Sequence, residues 1–424
     1  FQTPLFTATI AGSKCIFIGD SEFVGFVYKN NRKLDSDFFS MLAFSRVATG
    51  FSWKKVVEIW NDRKSLDHGF QLVRKYVFAR DELRKTVDHA QDILTGHLDR
   101  LPARFDGAGE TMSIGMKEFV TNLIFTAAVG PMLSPTLGTD EVAETFRVFE
   151  RSVPGLFANY PSFMVRDGIE AREKLLGHIL KPEFAKHASP FVREHRAESK
   201  YDADATNRSH VGILFGTASN SMQAAFWALY HVLADPEARM TIQQEIDSIE
   251  GDDENLSLEQ LDKLERLHSV FQETLRMYFA QFKPTMVMED MVVDWKGQKY
   301  LLEKGTRIMS YAQVLHYDSD VFENADTFVW DRFLSDPCGS PAVFRNRRNG
   351  KVLTNPLMCF GGGKHMCPGR RFVSYEFKSM MVNLFRRFDL SLADGSEYPG
   401  VNRMFDGFGV AQPAGDVVLQ VRLR

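Results

Sequence analysis

A long apolar segment near the middle of the chain constrains its fold more than any other feature. From Asp202 to Leu233 the sequence has the length of one continuous helix, and from Val211 to Leu233 it is apolar nearly all the way round. A helix with that pattern is stable in water only when other elements cover every side of it. The segment therefore predicts a central helix buried in the core, with further helices packed around it.

Other segments predict more helices and a small β portion. Helical spacing of apolar residues recurs at about Gly69–Leu98, Glu237–Glu250, Leu258–Tyr278 and Phe372–Phe388. Strand-prone runs on both sides of Gly12 and Ser13 predict a hairpin. Further short strands are expected at Met286–Val293, Arg307–Ser310 and Val417–Leu423. The expected fold class is mainly α with a small β portion, and because no repeat or linker divides the chain, residues 1–424 are expected to form a single domain.

Composition excludes several classes of partner and site. The 51 basic and 55 acidic residues leave a net charge of −4, so no global field attracts nucleic acid or an anionic membrane. The cysteines are too few and too unevenly spaced for a disulfide framework, which indicates a reducing compartment. No apolar run reaches the roughly 18 residues that a transmembrane helix needs. Because the chain begins at Phe1 without an initiator methionine, we expect that an N-terminal segment, with any membrane anchor, has been removed.

The strongest chemical signal is a glycine-rich loop from Phe360 to Arg370, which brings Cys367 to the start of a predicted helix. Glycines allow a tight turn, and the free amides and dipole of a helix N-terminus favour a thiolate over a thiol. A thiolate in this setting can bind a soft metal. A phosphate-binding loop is disfavoured because no Ser or Thr follows the Gly363-Lys364 pair. A buried cysteine beside a turn is the remaining alternative.

The residues Phe360, Gly363, Cys367 and Gly369 match the signature with which the cytochrome P450 family holds haem iron. The chain resembles this family over nearly its whole length, which implies the cytochrome P450 fold and haem b with Cys367 as the axial metal ligand. The resemblance also nominates two donors to the haem propionates. One is His365, which stands where the family often has Arg and is otherwise an ordinary loop histidine. The other is Lys283: the usual propionate arginine aligns with Thr285, so that contact is either lost or moved to Lys283.

A second motif consists of Glu273 and Arg276, whose i,i+3 spacing places both on one helix face. Alone the pair is weak, since charged helices contain many such pairs. In the family an arginine from a downstream segment joins the pair, and the resemblance nominates Arg332. We expect a buried structural cluster that fixes the cysteine loop.

The central helix departs from the family pattern. Most members have an acid followed by Thr, which relay protons to iron-bound dioxygen, whereas here Ser219 and Asn220 occupy these places. Two explanations compete. Either Asn220, with Ser219 and Ser221, holds a water that delivers protons, or the substrate brings its own O–O bond and no relay is needed. Gly216, one turn earlier, would leave room for a small ligand in both cases.

The resemblance is greatest to the branch that contains prostacyclin synthase and the sterol 7α- and 12α-hydroxylases, and the cysteine loop is similar to fungal members. It implies a haem-thiolate monooxygenase that oxidises a lipophilic terpenoid or steroid-like substrate with O2, as in secondary metabolism. The alternatives are an isomerase or lyase that rearranges an endoperoxide or hydroperoxide, and a non-catalytic haem sensor. Apolar residues around Pro161 resemble a lid that admits substrate from a membrane surface, so the cytosolic face of the endoplasmic reticulum membrane is the expected location.

A basic cluster around the cysteine loop predicts a docking face for an NADPH-cytochrome P450 reductase. Its members are Arg345, Arg347, Arg348, Lys351, Lys364, Arg370, Arg371, Arg386 and Arg387. NADPH would then act only indirectly, through the reductase. A merely solvated face is the alternative.

Overall fold

The computed structural model describes residues 5–10, 13–30, 33–35, 37–102, 111–251, 255–336, 340–353, 356–362 and 366–424. Its helices are α1 Ser21–Lys29, α2 Asp37–Thr49, α3 Trp53–Asn61, α4 Arg63–Phe78, α5 Arg80–Leu98, α6 Met116–Met132, α7 Asp140–Phe157, α8 Arg166–Leu180, α9 Pro182–Lys186, α10 Pro190–Glu198, α11 Ala203–Ala234, α12 Pro236–Asp247, α13 Leu258–Asp262, α14 Glu265–Tyr278, α15 Ala312–His316 and α16 Arg370–Arg387. Helices hold 56% of the chain and strands 15%, which confirms the predicted fold class.

The strands form small sheets at the periphery of the helices. They are β1 Leu5–Ile10, β2 Ser13–Ile18, β3 Leu34–Asp35, β4 Thr111–Gly115, β5 Phe282–Val287, β6 Met291–Trp295, β7 Gln298–Leu302, β8 Arg307–Tyr311, β9 Phe388–Leu392, β10 Val401–Asn402, β11 Gln412–Pro413 and β12 Val418–Leu423. The largest sheet has the order β1-β2-β8-β5-β3, and a second has the order β4-β12-β9. The predicted hairpin is formed by the antiparallel pair β1 and β2, in which Leu5 lies opposite Ile18.

Three sequence-based boundaries are corrected. The helical segment from Gly69 to Leu98 is divided at Ala79, whose extended backbone ends α4 and begins α5. The segment from Leu258 to Tyr278 is likewise two helices, α13 and α14. The strand predicted from Met286 to Val293 is two strands, β5 and β6, which pair with different partners. Periodicity alone does not detect such breaks, because the apolar spacing continues across them.

The predicted central helix is α11, which packs against α6, α2, α14 and α8. Its second half is almost continuously buried, and Trp227 is among the largest fully buried side chains. The indole Nε1 of Trp227 donates a hydrogen bond to the carbonyl oxygen of Ala411 at 2.7 Å, and its ring stacks on Tyr278 with centroids 4.0 Å apart. The central helix therefore positions both α14 and the chain segment that precedes β11. Among the described residues, none of the helices combines the length and hydropathy needed to cross a bilayer.

Candidate functional site

The cysteine loop places Cys367 three residues before the first residue of α16. Its backbone N–H donates to the carbonyl oxygen of Phe360 at 2.8 Å, which closes the loop on itself, and Gly361 has a positive φ of 68°. Gly369 is the N-cap of α16, and a Cβ at this position would lie 3.9 Å from the Cys367 sulfur. Two other loop residues in the predicted site, Gly363 and His365, lie outside the described residues.

Burial raises the pKa of the Cys367 thiol, although the backbone N–H groups of Gly369 and Arg370 act in the opposite direction. The amides at the helix N-terminus do favour the thiolate, as the sequence predicts, but desolvation outweighs them. A thiolate here therefore needs a positive partner, such as a metal ion, in direct contact with the sulfur. The neighbouring Cys359 is a poorer ligand, because burial raises the pKa of its thiol to about 12.

The three charged residues predicted to form a cluster are brought together beneath this loop. Glu273 and Arg276 are fully buried, and the guanidinium donates to both carboxylate oxygens at 2.7 and 2.9 Å. The Nε of Arg332 donates to the same oxygens at 3.0 Å, and the backbone N–H of Val329 adds a bond of 2.9 Å to Oε1. Four donor groups thus compensate the burial of one carboxylate.

His316 links this cluster to the cysteine loop, and the sequence analysis missed it. Its Nδ1 is 3.1 Å from the carbonyl oxygen of Arg276, and its Nε2 is 2.9 Å from the backbone N of Met358. Since a carbonyl only accepts and a backbone N–H only donates, the ring is neutral with its proton on Nδ1. Burial and the adjacent Arg276 lower the pKa of His316 to about 3, which agrees with that state. A single histidine in a short helix gives no sequence signal for this role.

Halfway along the central helix, one face is not covered by other residues. Gly216 and Asn220, one turn apart, are exposed, whereas Ala218, Ser219 and Ser221 between and beside them are buried. A Cβ at Gly216 would meet no atom within 4 Å. The backbone at Gly216 therefore borders open space beside the central helix.

The three polar residues of this stretch point in different directions. The hydroxyl of Ser221 donates back to its own helix, to the carbonyl oxygens of Thr217 and Ala218 at 3.1 Å. The Oδ1 of Asn220 accepts a hydrogen bond from the backbone N–H of Val410 at 2.8 Å. The structure therefore does not bring Ser219, Asn220 and Ser221 together around one point, as a shared water site would require.

Ser219 contacts a carboxylate that the sequence analysis missed. Its hydroxyl donates to Oε1 of Glu150, a residue of α7, at 2.5 Å, and Nε2 of Gln223 lies 3.4 Å from Oε2. Glu150 is buried, and this burial raises the pKa of its carboxyl to about 7 despite the two hydrogen bonds. The residue at the place where most family members have an acid is thus hydrogen-bonded to an acid from another helix. The sequence around Ser219 does not reveal this contact, because Glu150 lies 69 positions away in the chain.

Lys283, the second candidate for a propionate contact, lies in β5 opposite Ser310 of β8 and is partly buried. Ser310 donates from its hydroxyl to the Lys283 carbonyl oxygen at 3.2 Å. This bond fixes the backbone at Lys283.

The family model described as "Cytochrome P450" matches residues 179–419, which is more than half of the chain. The chain belongs to the cytochrome P450 family. Membership confirms the resemblance stated from the sequence and establishes haem b, ligated by a cysteine thiolate, as the cofactor.

Curated relatives of this cytochrome P450 include several sterol hydroxylases. The chain is 28% identical to pig (Sus scrofa) "Cytochrome P450 7A1" over 66% of its length and 58% of the pig protein's. It is 26% identical to rat (Rattus norvegicus) "25-hydroxycholesterol 7-alpha-hydroxylase" over 82% of its length and 92% of the rat protein's. It is 31% identical to rabbit (Oryctolagus cuniculus) "7-alpha-hydroxycholest-4-en-3-one 12-alpha-hydroxylase" over 50% of its length and 44% of the rabbit protein's. The aligned part of the chain thus spans less than two thirds of the pig protein. These relatives confirm the predicted branch.

The described residues fit a haem group. Cys367 offers a sulfur at the start of α16, close to the backbone N–H groups of Gly369 and Arg370. At Gly216 no other atom lies within 4 Å of the place that a Cβ would take. A soft sulfur ligand and open space beside a central helix are features that a haem-thiolate site requires.

Proposed function

We propose that this cytochrome P450 is a monooxygenase that hydroxylates a sterol or a similar lipophilic molecule. Cys367 is the axial ligand in this proposal, and Phe360, Gly363 and Gly369 shape the loop around it. When bound, haem supplies reductive activation of O2, and its thiolate ligand favours cleavage of the O–O bond. The single observation that supports the proposal best is the placement of Cys367 at the start of α16, in a chain similar to sterol hydroxylases.

The charge cluster has a positioning role in this proposal. Glu273 holds Arg276 and Arg332, and Arg276 is linked through His316 to Met358, two residues before Phe360. Because these contacts are buried, they resist displacement by water and hold the backbone at Met358, just before the cysteine loop, in place. His365 and Lys283 remain the proposed donors to the haem propionates.

Electrons are proposed to come from an NADPH-cytochrome P450 reductase that docks on the basic cluster. Several members of the cluster have acidic partners, since Arg348 pairs with Asp320 and Lys351 pairs with Glu22. Arg370 and Arg371 are the first two residues of α16, and their guanidinium groups lie over the ring of Phe78, 4.4 and 4.5 Å from its centroid. Both charges are therefore held close to Cys367 in the chain. The docking surface is therefore proposed to centre on Arg370 and Arg371.

A membrane surface is the proposed source of substrate. Between α7 and α8, the side chains of Tyr160, Phe163 and Met164 are 49%, 78% and 60% exposed. Adjacent exposed apolar side chains of this size are typical of a surface that contacts lipid or protein. A location at the endoplasmic reticulum membrane follows from this surface and from the proposed reductase.

The experiment supplies the haem-loaded protein with a reductase, NADPH and ¹⁸O2, and offers cholesterol, 25-hydroxycholesterol and 7α-hydroxycholest-4-en-3-one as substrates. One labelled oxygen in a hydroxylated product, with consumption of NADPH, is the expected result. The carbon monoxide adduct of the reduced protein should show the Soret band of thiolate ligation, and Cys367→Ser should lose it. Binding of these sterols with neither labelled product nor NADPH consumption would contradict the proposal and favour a haem sensor.

Rearrangement of a peroxide is the second candidate, because α11 has no acid between Asp204 and its C-terminus. An isomerase or lyase would convert a lipid hydroperoxide or endoperoxide without a reductase. The matched experiment omits NADPH and O2 and offers such a peroxide. Rapid conversion there, together with no labelled product from the sterols, would replace the monooxygenase proposal.

A further inference from the structure

We propose that Glu150 is a positioning residue that holds a proton for the chemistry beside α11 and acts through the hydroxyl of Ser219. This inference rests on the proposed monooxygenase function, which consumes protons, and it assigns their storage to a carboxyl group outside the central helix.

The geometry of the contact supports this role. Glu150 lies on α7, 69 positions from Ser219 in the sequence, yet Oε1 accepts the Ser219 hydroxyl hydrogen bond at 2.5 Å. Ser219 is followed directly by Asn220, which is exposed on the open face of α11. Only the Ser219 hydroxyl therefore separates a proton on Glu150 from the backbone next to Asn220.

The surroundings of Glu150 allow its protonation to change near neutral pH. On α6, the ammonium of Lys117 lowers the pKa of Glu150, as does the guanidinium of Arg147 on α7, but burial outweighs both and raises it to about 7. On α11, the groups in contact with Glu150 are Ser219 and Gln223, which carry no charge. A group whose pKa lies near the working pH is best suited to accept and return a proton.

Gln223 provides a second, independent observation. Its Nε2 contacts Glu150, whereas its Oε1 is buried and has no hydrogen-bond partner among the described residues. A buried amide oxygen in this position is typically satisfied by an ordered water. Gln223 thus adds a second polar side chain of α11 to the surroundings of Glu150 and leaves a buried acceptor beside it.

The proposed step conserves atoms and charge. In the proposed step the Ser219 hydroxyl, which donates to Glu150 in the structure, reverses this bond: its Oγ accepts the carboxyl proton, and its own hydroxyl proton passes to a water molecule beside α11, which gives a proton to the reaction. Glu150 is left as a carboxylate and regains a proton from solvent. In the overall reaction the substrate, O2, NADPH and one proton give the hydroxylated product, water and NADP⁺, and the reductase delivers the electron pair.

The test uses the haem-loaded protein and two variants of the pair, Glu150→Gln and Ser219→Ala. Infrared difference spectra of the wild type between pH 6 and pH 8 should contain the C=O band of a protonated carboxyl group. This band should be absent from Glu150→Gln and shifted in Ser219→Ala. In turnover with the reductase, the wild-type ratio of product to NADPH consumed should fall as the pH rises through about 7. In Glu150→Gln this ratio should be several-fold lower and independent of pH.

Glu245→Gln is the matched control, since Glu245 is also a glutamate whose carboxyl pKa is raised by burial but it lies on α12 and contacts the backbone of α14. Glu245→Gln should keep the wild-type pH profile. Glu150→Asp should show part of the pH dependence that Glu150→Gln loses. An unchanged infrared band or pH profile in Glu150→Gln would overturn the inference. Failure of the proposed function is distinguishable, because the wild-type protein itself would then give no labelled product, while the infrared titration still tests Glu150.

Discussion

The Nε2 of His316 accepts a hydrogen bond from the backbone N–H of Met358 at 2.9 Å, and this bond connects the buried charge cluster to the cysteine loop. His316→Leu removes the bond and leaves two buried backbone groups without partners, at about 1–3 kcal/mol each. We expect a lower melting temperature and a smaller fraction of haem-loaded protein, measured by the ratio of Soret to protein absorbance. In His316→Gln the melting temperature and the haem-loaded fraction should fall less. His187→Leu, at a half-exposed histidine, should change neither quantity.

Arg332 is expected to be necessary for a stable cysteine loop. Arg332→Ala leaves the fully buried Glu273 with a single guanidinium. Because breaking a buried ion pair typically costs about 3–5 kcal/mol, we expect the free energy of unfolding to fall by about that amount. Chemical denaturation followed by circular dichroism measures the effect. The same substitution at the exposed Arg166, which pairs with Glu170, should cost less than about 1 kcal/mol. Equal effects of the two substitutions would contradict the structural role of Arg332.

Asn220 is expected to have separable structural and chemical roles. In Asn220→Asp the carboxylate can still accept from the Val410 N–H, so the melting temperature should change little. Asn220→Ala loses this acceptor and should be destabilised by about 1 kcal/mol. If the amide donor of Asn220 serves turnover, both variants should lose activity alike. A stable, fully active Asn220→Ala variant would show that the contact with Val410 matters neither for stability nor for turnover.

Gly409 is expected to tolerate no side chain. Its φ of 132° is unfavourable for other residues, and a Cβ would lie 2.1 Å from Oδ1 of Asn220. Gly409→Ala should therefore lower the melting temperature and displace Asn220. Gly177→Ala is the matched control, because Gly177 lies in α8 with no atom within 4 Å of a Cβ and alanine favours helices. The control should be neutral or slightly stabilising.

Acid should destabilise the protein partly through His231. Burial lowers the pKa of this histidine to about 3, whereas in the unfolded chain it is about 6.5. Between these values the unfolded state binds the additional proton, so the stabilising contribution is full above pH 6.5 and falls as the pH decreases. His231→Phe preserves a ring that stacks on Phe328 but has no group that titrates. Between pH 7.5 and pH 5 the free energy of unfolding of the wild type should fall by about 2 kcal/mol more than that of this variant. A constant difference in unfolding free energy across this range would contradict the assignment.

Much of the fold and part of the site could be predicted from the sequence. The apolar run of α11 required a buried position, and the spacing of Glu273 and Arg276 placed them on one face because helix geometry is local. The match at Cys367 led to the correct family. Helix ends were less predictable, since the break at Ala79 depends on the extended backbone of one residue within a continuous pattern.

The sequence by itself determined the central helix, the cysteine loop and the family, because each depends on residues close together along the chain. Only the tertiary structure decided that Glu150 meets Ser219 and that His316 meets Met358, across 69 and 42 positions. Such contacts arise when helices pack, and packing fixes both the partner of a polar side chain and the desolvation that shifts its pKa. The sequence of α11 itself has no acid near Ser219, whereas the packing of α7 against α11 provides one.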